Sequence, residues 1–169
     1  MGTTYILSDL VRTRAVWKRE KKKVVFTNGV FDILHRGHAE YLAASKHLGD
    51  VLVVGVNSDE SVRRIKGALR PIVPQEDRAY LVSQLQPVDA VCVFDQDTPL
   101  EIISALVPDI LVKGADWKID DVVGKDVVEA VGGKVLTLPF LPNRSTTNII
   151  DVIKQRYSEL LKVKNPFGT

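Results

Sequence analysis

Five short runs of β-branched and apolar residues, at 24–27, 51–56, 90–94, 110–112 and 135–138, recur along the 169-residue chain. Each run is continuously apolar instead of alternating, the pattern of strands covered on both faces of a parallel sheet. The segments between them carry helical spacing. Tyr41, Leu42, Ser45 and Leu48 share one helix face, and Arg78, Leu81, Val82 and Leu85 share another. Strand alternating with helix five times predicts an α/β fold: a doubly wound, five-stranded parallel sheet of Rossmann-like type. Such sheets bind ligands at the carboxyl ends of their strands, near the point where strand order reverses.

Local signals place the element ends. Thr98-Pro99-Leu100-Glu101 predicts a helix start, with Thr98 as cap, Pro99 at the first helical position and Glu101 closing a capping box. Gly132-Gly133 predicts a helix stop before the fifth strand. The last helix is expected from about Thr147 to Lys162, with Ile149, Ile150, Ile153, Tyr157, Leu160 and Leu161 on its buried side. Residues 12–23 hold seven basic residues and one acid. A patch for nucleic acid or membrane is one reading of them. The better one makes 1–23 a leading basic helical segment, docked by Leu7, Leu10, Val11 and Trp17, with its charges solvated. The tail, 164–169, is expected to fray.

Composition bounds the function. The length suits a single domain over 1–169, and 45% apolar with 26% charged residues is ordinary for a globular protein. Lys and Arg number 23 against 21 Asp and Glu, a net charge of +2 that gives no argument for nucleic acid. Cys92 is the only cysteine, which excludes a disulfide framework and a Cys-rich metal site. No apolar run approaches the ~20 residues that span a bilayer, and the N-terminus lacks a signal-peptide core. The expectation is a soluble cytoplasmic domain with neither nucleic acid nor membrane as partner.

The chemistry gathers where the first apolar run ends, in Thr27-Asn28-Gly29-Val30-Phe31-Asp32-Ile33-Leu34-His35-Arg36-Gly37-His38. This is neither the G-x-G-x-x-G dinucleotide fingerprint nor the P-loop. It still suits phosphate. Gly29 and Gly37 let backbone approach a ligand closely, and a helix beginning near Gly37 points unpaired N–H groups at an anion. His35 and His38 can present ring N–H donors to that same anion. Zinc would need three or four ligands. The only other histidine is His47, about two and a half turns further on, and no metal site is assigned.

His35-Arg36-Gly37-His38 resembles the HxGH signature of the nucleotidyltransferase superfamily, which includes cytidylyltransferases and adenylyltransferases. Three further segments resemble the family in its order: Lys66-Gly67 with Arg70-Pro71-Ile72-Val73-Pro74 and Arg78; Leu111-Val112-Lys113-Gly114-Ala115-Asp116-Trp117; and Ser145-Thr146-Thr147-Asn148-Ile149-Ile150. The finer likeness is to heptose 1-phosphate adenylyltransferases, through residues 26–35, 55–59, 109–116 and 145–150. No sugar-kinase domain accompanies them, so the chain resembles the stand-alone form. Ala115 stands where the group's second glycine is expected.

The resemblance implies transfer of adenylate from ATP to D-glycero-β-D-manno-heptose 1-phosphate, with Mg2+ as cofactor. The product would supply lipopolysaccharide inner core or another surface glycan. It assigns His35, His38 and Lys66 to catalysis. Nucleotide binding falls to Thr27, Asn28, Gly29, Val30, Phe31, Asp32, Gly37, Arg78, Lys113, Gly114, Asp116, Ser145, Thr146 and Thr147. Acceptor binding falls to Asn57, Arg70, Trp117 and Arg144. Dimers are common in the family, so a homodimer is allowed. The alternatives are a cytidylyltransferase or adenylyltransferase for another acceptor, such as glycerol phosphate, ethanolamine phosphate or a flavin, and a non-catalytic nucleotide-binding regulator.

Overall fold

The computed structural model describes residues 1–115 and 117–163, with side chains as far as residue 158. The five expected strands form as β2 (Val24–Gly29), β3 (Val51–Asn57), β4 (Ala90–Phe94), β5 (Ile110–Gly114) and β6 (Lys134–Leu138), and a sixth, β1 (Thr3–Tyr5), precedes them. All pairings are parallel, in the order β1-β4-β3-β2-β5-β6. The expected count of five is therefore corrected to six. Thr3-Thr4-Tyr5 is too short and polar to read as an apolar run. It gains its strand from Ala90, Val91 and Cys92, which it pairs at the edge of the sheet.

The helices are α1 (Leu7–Arg19), α2 (Arg36–Lys46), α3 (Asp59–Lys66), α4 (Gln75–Ser83), α5 (Leu100–Leu106), α6 (Lys125–Glu129) and α7 (Thr146–Val163). They cover both faces of the sheet, which is why the strands are apolar throughout. In β3, Val51 and Val53 join one core with Leu10 of α1, Ile102, Ile103 and Leu106 of α5, and Val128 of α6. Leu52, Val54 and Val56 join the opposite core with Tyr41 and Leu42 of α2 and Ala79 and Val82 of α4. Each such side chain contributes roughly 1.5–3 kcal/mol by leaving water.

The leading helix docks as expected, through buried Leu10 with Leu7, Val11 and Trp17 packed beside it. Its charges are not all solvated. Arg14 is buried and donates to the carbonyls of Leu106 (3.2 Å) and Val107 (3.1 Å) and to Asp109 Oδ2 (3.1 Å). The same carboxylate oxygen accepts from the Val24 amide at 2.8 Å, tying α1 to the start of β2.

Other expectations shift locally. Leu81 is exposed, and the buried face of α4 is Arg78, Ala79, Val82 and Ser83. Thr98 does not cap α5: Pro99 holds the cap position with no side-chain bond, and Glu101 accepts from Gln96 Nε2 instead. Gly132, at φ +81°, does stop α6, and the Gly133 amide bonds Val128 O at 2.9 Å. α7 begins one residue early because Ser145 is its cap, accepting from the Asn148 amide at 3.1 Å. Of the described residues on its expected buried side, Ile149 and Ile150 are half-buried, while Ile153 is 47% and Tyr157 59% exposed. The side chains of Leu160 and Leu161, and the tail 164–169, lie outside the described residues. No helix among the described residues is long and apolar enough to cross a membrane.

β2 is the turning point of the fold. The chain winds from it through β3 and β4 in one direction and through β5 and β6 in the other. The crevice that a doubly wound sheet leaves at its reversal thus opens between the ends of β2 and β5, at Asn28-Gly29 and Lys113-Gly114.

Candidate active site

β2 delivers the chain into a tight turn. Phe31 adopts φ +49°, a left-handed conformation that bulky residues rarely hold, at a cost of about 1–3 kcal/mol. Its buried ring meets the edge of His38 at 5.1 Å. Two buried charges hold the turn from below. The Asp32 carboxylate accepts from Arg70 Nε (2.5 Å) and from the amides of Ile72 (2.8 Å) and Val73 (2.9 Å). Arg78 donates Nε to Val73 O (2.9 Å), one terminal nitrogen to Val30 O (2.6 Å) and the other to Asp59 Oδ1 (2.7 Å). Together they clamp the turn after β2 to the segment before α4.

α2 starts directly behind the turn, with His35 in extended backbone at its cap position and no side chain bonding its first amides. The rings of His35 and His38 stack at 3.8 Å, 18° from parallel. Burial pushes the His38 imidazole down to about 4, with a smaller push from His35. Burial, then the Arg144 charge, lowers His35. Both shifts favour the neutral rings, between which there is no charge repulsion in the stack, and the Nδ1 atom of each is buried without a partner among the described residues. Gly37 eases this closeness: a Cβ there would lie 3.0 Å from His35 Nδ1 and 3.2 Å from Arg144 Cβ, so both side chains would have to shift.

α7 brings its N-terminus to the same place. A hollow of about 320 Å³ is lined by His35, Gly37, His38, Phe140, Arg144, Ser145 and Thr146. Thr146 Oγ1 bonds Ile33 O at 3.4 Å, linking the start of α7 to the turn after β2. His38, Phe140 and Thr146 are shared with the main cleft, of about 370 Å³, whose lining includes Asn28, Gly29, Val30, Asn57, Lys66, Lys113 and Trp117. Gly114 lines the adjoining slot. Lys113 Nζ donates to Asn28 Oδ1 and lies 5.8 Å from the centre of the Trp117 ring.

Other sequence-assigned residues lie elsewhere or are otherwise engaged. Arg78 is wholly buried with all three of its bonds made to protein, so it is corrected from phosphate ligand to loop clamp. Arg70 is engaged by Asp32 and lines neither hollow. Asp32 does not fit magnesium, because its side chain is fully buried and its oxygens already accept three bonds. Among the described residues no group of three His, Cys, Asp or Glu could hold a metal ion. Thr27 is buried with Oγ1 2.8 Å from Tyr41 Oη, joining β2 to α2. Thr147 is exposed and lines neither hollow. Asp116 lies outside the described residues.

Phe140 was missed from sequence, although it lines both hollows and stands 5.4 Å from the Tyr41 ring. Asp97 and Thr98, which also line the cleft, were missed as site residues. A usable signal was Phe140 between Pro139 and Pro142, an aromatic in a loop past a strand's carboxyl end.

Residues 26–152 match the model of the family described as Cytidylyltransferase-like. The chain belongs to that family. It is a nucleotidyltransferase, and the matched span runs from β2 into α7, enclosing the whole cleft. The chain is 49% identical over 154 residues to the bifunctional protein HldE of Trichlorobacter lovleyi, covering 91% of itself and 31% of that protein. It is 53% identical over 144 residues to HldE of Syntrophotalea carbinolica, covering 85% of itself and 29% of that relative. The chain thus spans about three tenths of the length of these curated relatives. Among solved structures it is similar to the lipopolysaccharide core biosynthesis protein from Thermoplasma volcanium. The TM-score there is 0.58 at 35% identity, over 71% of this chain and 97% of that one. A protein of unknown function from Archaeoglobus fulgidus shares the fold, with a TM-score of 0.56 at 18% identity over 73% of this chain and 93% of that one.

Proposed function

We propose that this nucleotidyltransferase is an adenylyltransferase converting ATP and D-glycero-β-D-manno-heptose 1-phosphate to ADP-heptose and pyrophosphate. One observation carries the reading: the stacked histidines, the open start of α2, and Arg144 with Thr146 at the start of α7 line one hollow continuous with the main cleft. The likeness to HldE proteins and to a lipopolysaccharide core biosynthesis protein supports a sugar phosphate as acceptor.

In this reading an oxygen of the sugar phosphate attacks the α-phosphorus in line. The bond from that phosphorus to the bridging oxygen breaks, and pyrophosphate leaves. The attacking oxygen is already anionic, so the neutral histidines need not act as bases. Each offers one ring N–H to the phosphates, a bond that strengthens as charge moves toward the leaving group. Arg144 and Lys66 add positive charge, the amides at the start of α2 add a dipole, and Trp117 and Phe140 flank the base. Magnesium would be carried on the phosphate oxygens, which suit it better than a protein cage, and would neutralise part of their charge. With ATP as donor, the reaction belongs in the cytoplasm.

The test is product analysis with ATP or CTP, magnesium, and a panel of acceptors: each heptose 1-phosphate anomer, glycerol phosphate and ethanolamine phosphate. ADP-heptose from ATP and the β anomer is expected. Preference for CTP or for a non-sugar acceptor overturns the assignment in favour of another transferase. Tight ATP binding with no turnover on any acceptor makes the chain a non-catalytic nucleotide binder.

A further inference from the structure

The cleft has a polar wall that the reaction chemistry above leaves unused. It lies where β3 and β4 end, beside the turning point of the sheet. Asn57 closes β3, and Asp97 and Thr98 follow β4; all three line the main cleft. Each carries polar capacity that the fold does not consume. Thr98 sits in a sequence built for helix capping, yet its hydroxyl makes no capping bond to α5. Asp97 Oδ1 accepts from Arg64 Nε at 2.5 Å, while Oδ2 has no hydrogen-bond donor among the described residues. Asn57 Nδ2 donates to Ser61 Oγ at 3.0 Å, which fixes the amide and leaves Oδ1 without a donor.

The wall does not suit the nucleotide. A triphosphate belongs with the histidines and Arg144, in a hollow that this wall does not line, and a carboxylate would repel it. A base belongs against the rings of Trp117 and Phe140, which share a slot with Gly29. What remains for a carboxylate, a hydroxyl and an amide carbonyl is a neutral group rich in O–H donors. We propose that Asp97 and Thr98, beside Asn57, which the family resemblance already gives to the acceptor, form the subsite that reads the hydroxyl groups of the acceptor sugar, with Asp97 its specificity-determining residue. Arg64 aims the carboxylate, and Lys66, exposed on the same cleft, meets the acceptor's phosphate. This deepens the proposed function and rests on it.

The test compares wild type with Asp97→Ala and Thr98→Val, two residues on the cleft rim whose replacement does not open the core. Steady-state rates are taken with heptose 1-phosphate, mannose 1-phosphate and glycerol phosphate, and ATP binding is titrated separately. Asp97→Ala is expected to raise the KM for the heptose phosphate about tenfold or more, as loss of a charge-assisted hydrogen bond does. Thr98→Val should raise it less, and both should leave ATP affinity within about twofold. Discrimination between heptose phosphate and glycerol phosphate should fall in parallel. If wild type uses no sugar 1-phosphate, the proposed function fails and takes the subsite with it. If wild type is active and Asp97→Ala leaves the acceptor KM unchanged, or weakens ATP as much as the acceptor, the subsite alone is wrong.

Discussion

His38 sits between two rings, stacked on His35 and edge-on to Phe31. A side chain held this way loses little freedom when a phosphate arrives, so its donor contributes mainly where charge develops. His38→Ala should therefore lower kcat by ~100-fold or more, while ATP affinity, measured by titration, changes only a few-fold. His38→Gln, which keeps an N–H donor, should recover part of the loss. A variant whose ATP affinity falls as far as its turnover would mean that His38 only binds the ground state. The histidine pair was legible in sequence because its chemistry is local: three positions apart, at a strand-to-helix turn, flanked by glycine. Thr27 and Asp32 come from the same segment, and their polar groups are engaged within the protein, although Asp32 still lines the cleft. Composition gives a side chain's donors and acceptors but not the partner that occupies them, and here Tyr41 and the amides of 72 and 73 do so from elsewhere in the chain.

At the scale of elements, the cleft depends on joints between loops. Arg78 leaves α4 and bonds both the turn after β2 and the segment before its own helix. Its partners are two carbonyls and the Asp59 carboxylate, so replacing it with an apolar side chain leaves buried acceptors without donors. Arg78→Met is expected to destabilise the protein by about 3–5 kcal/mol, read from the urea midpoint. Arg78→Lys should be intermediate, because an ammonium lacks the planar fork that reaches all three acceptors. Unchanged stability with lost phosphate binding would return Arg78 to the role of ligand. The same distinction explains what periodicity conveyed. It located α2 and α4 well because each packs on a sheet. It placed an apolar stripe on α7 as well, but it could not state whether the fold supplies anything to cover it, and Ile153 and Tyr157 remain exposed.

For the molecule as a whole, parallel order and layering followed from the strand runs, since only a sheet covered on both faces requires continuous apolar strands. The edge strand β1 was not legible, because its pairing comes from β4 and not from its own three residues. The neutral histidines were not legible either, since burial is a property of the assembled fold. They link the site to global stability. The folded value of about 4 for His38 stands below the ordinary 6.5. Between those pH values the unfolded chain binds a proton that the folded one refuses. This contribution to stability is full above pH 6.5 and is lost as pH falls toward 4, and the shift corresponds to about 3 kcal/mol. Urea unfolding at pH 7.5 and pH 4 should show wild type losing about 3 kcal/mol more than His38→Gln, a residue that does not titrate. Equal losses in the two proteins would mean that His38 titrates normally and is not held neutral by the fold.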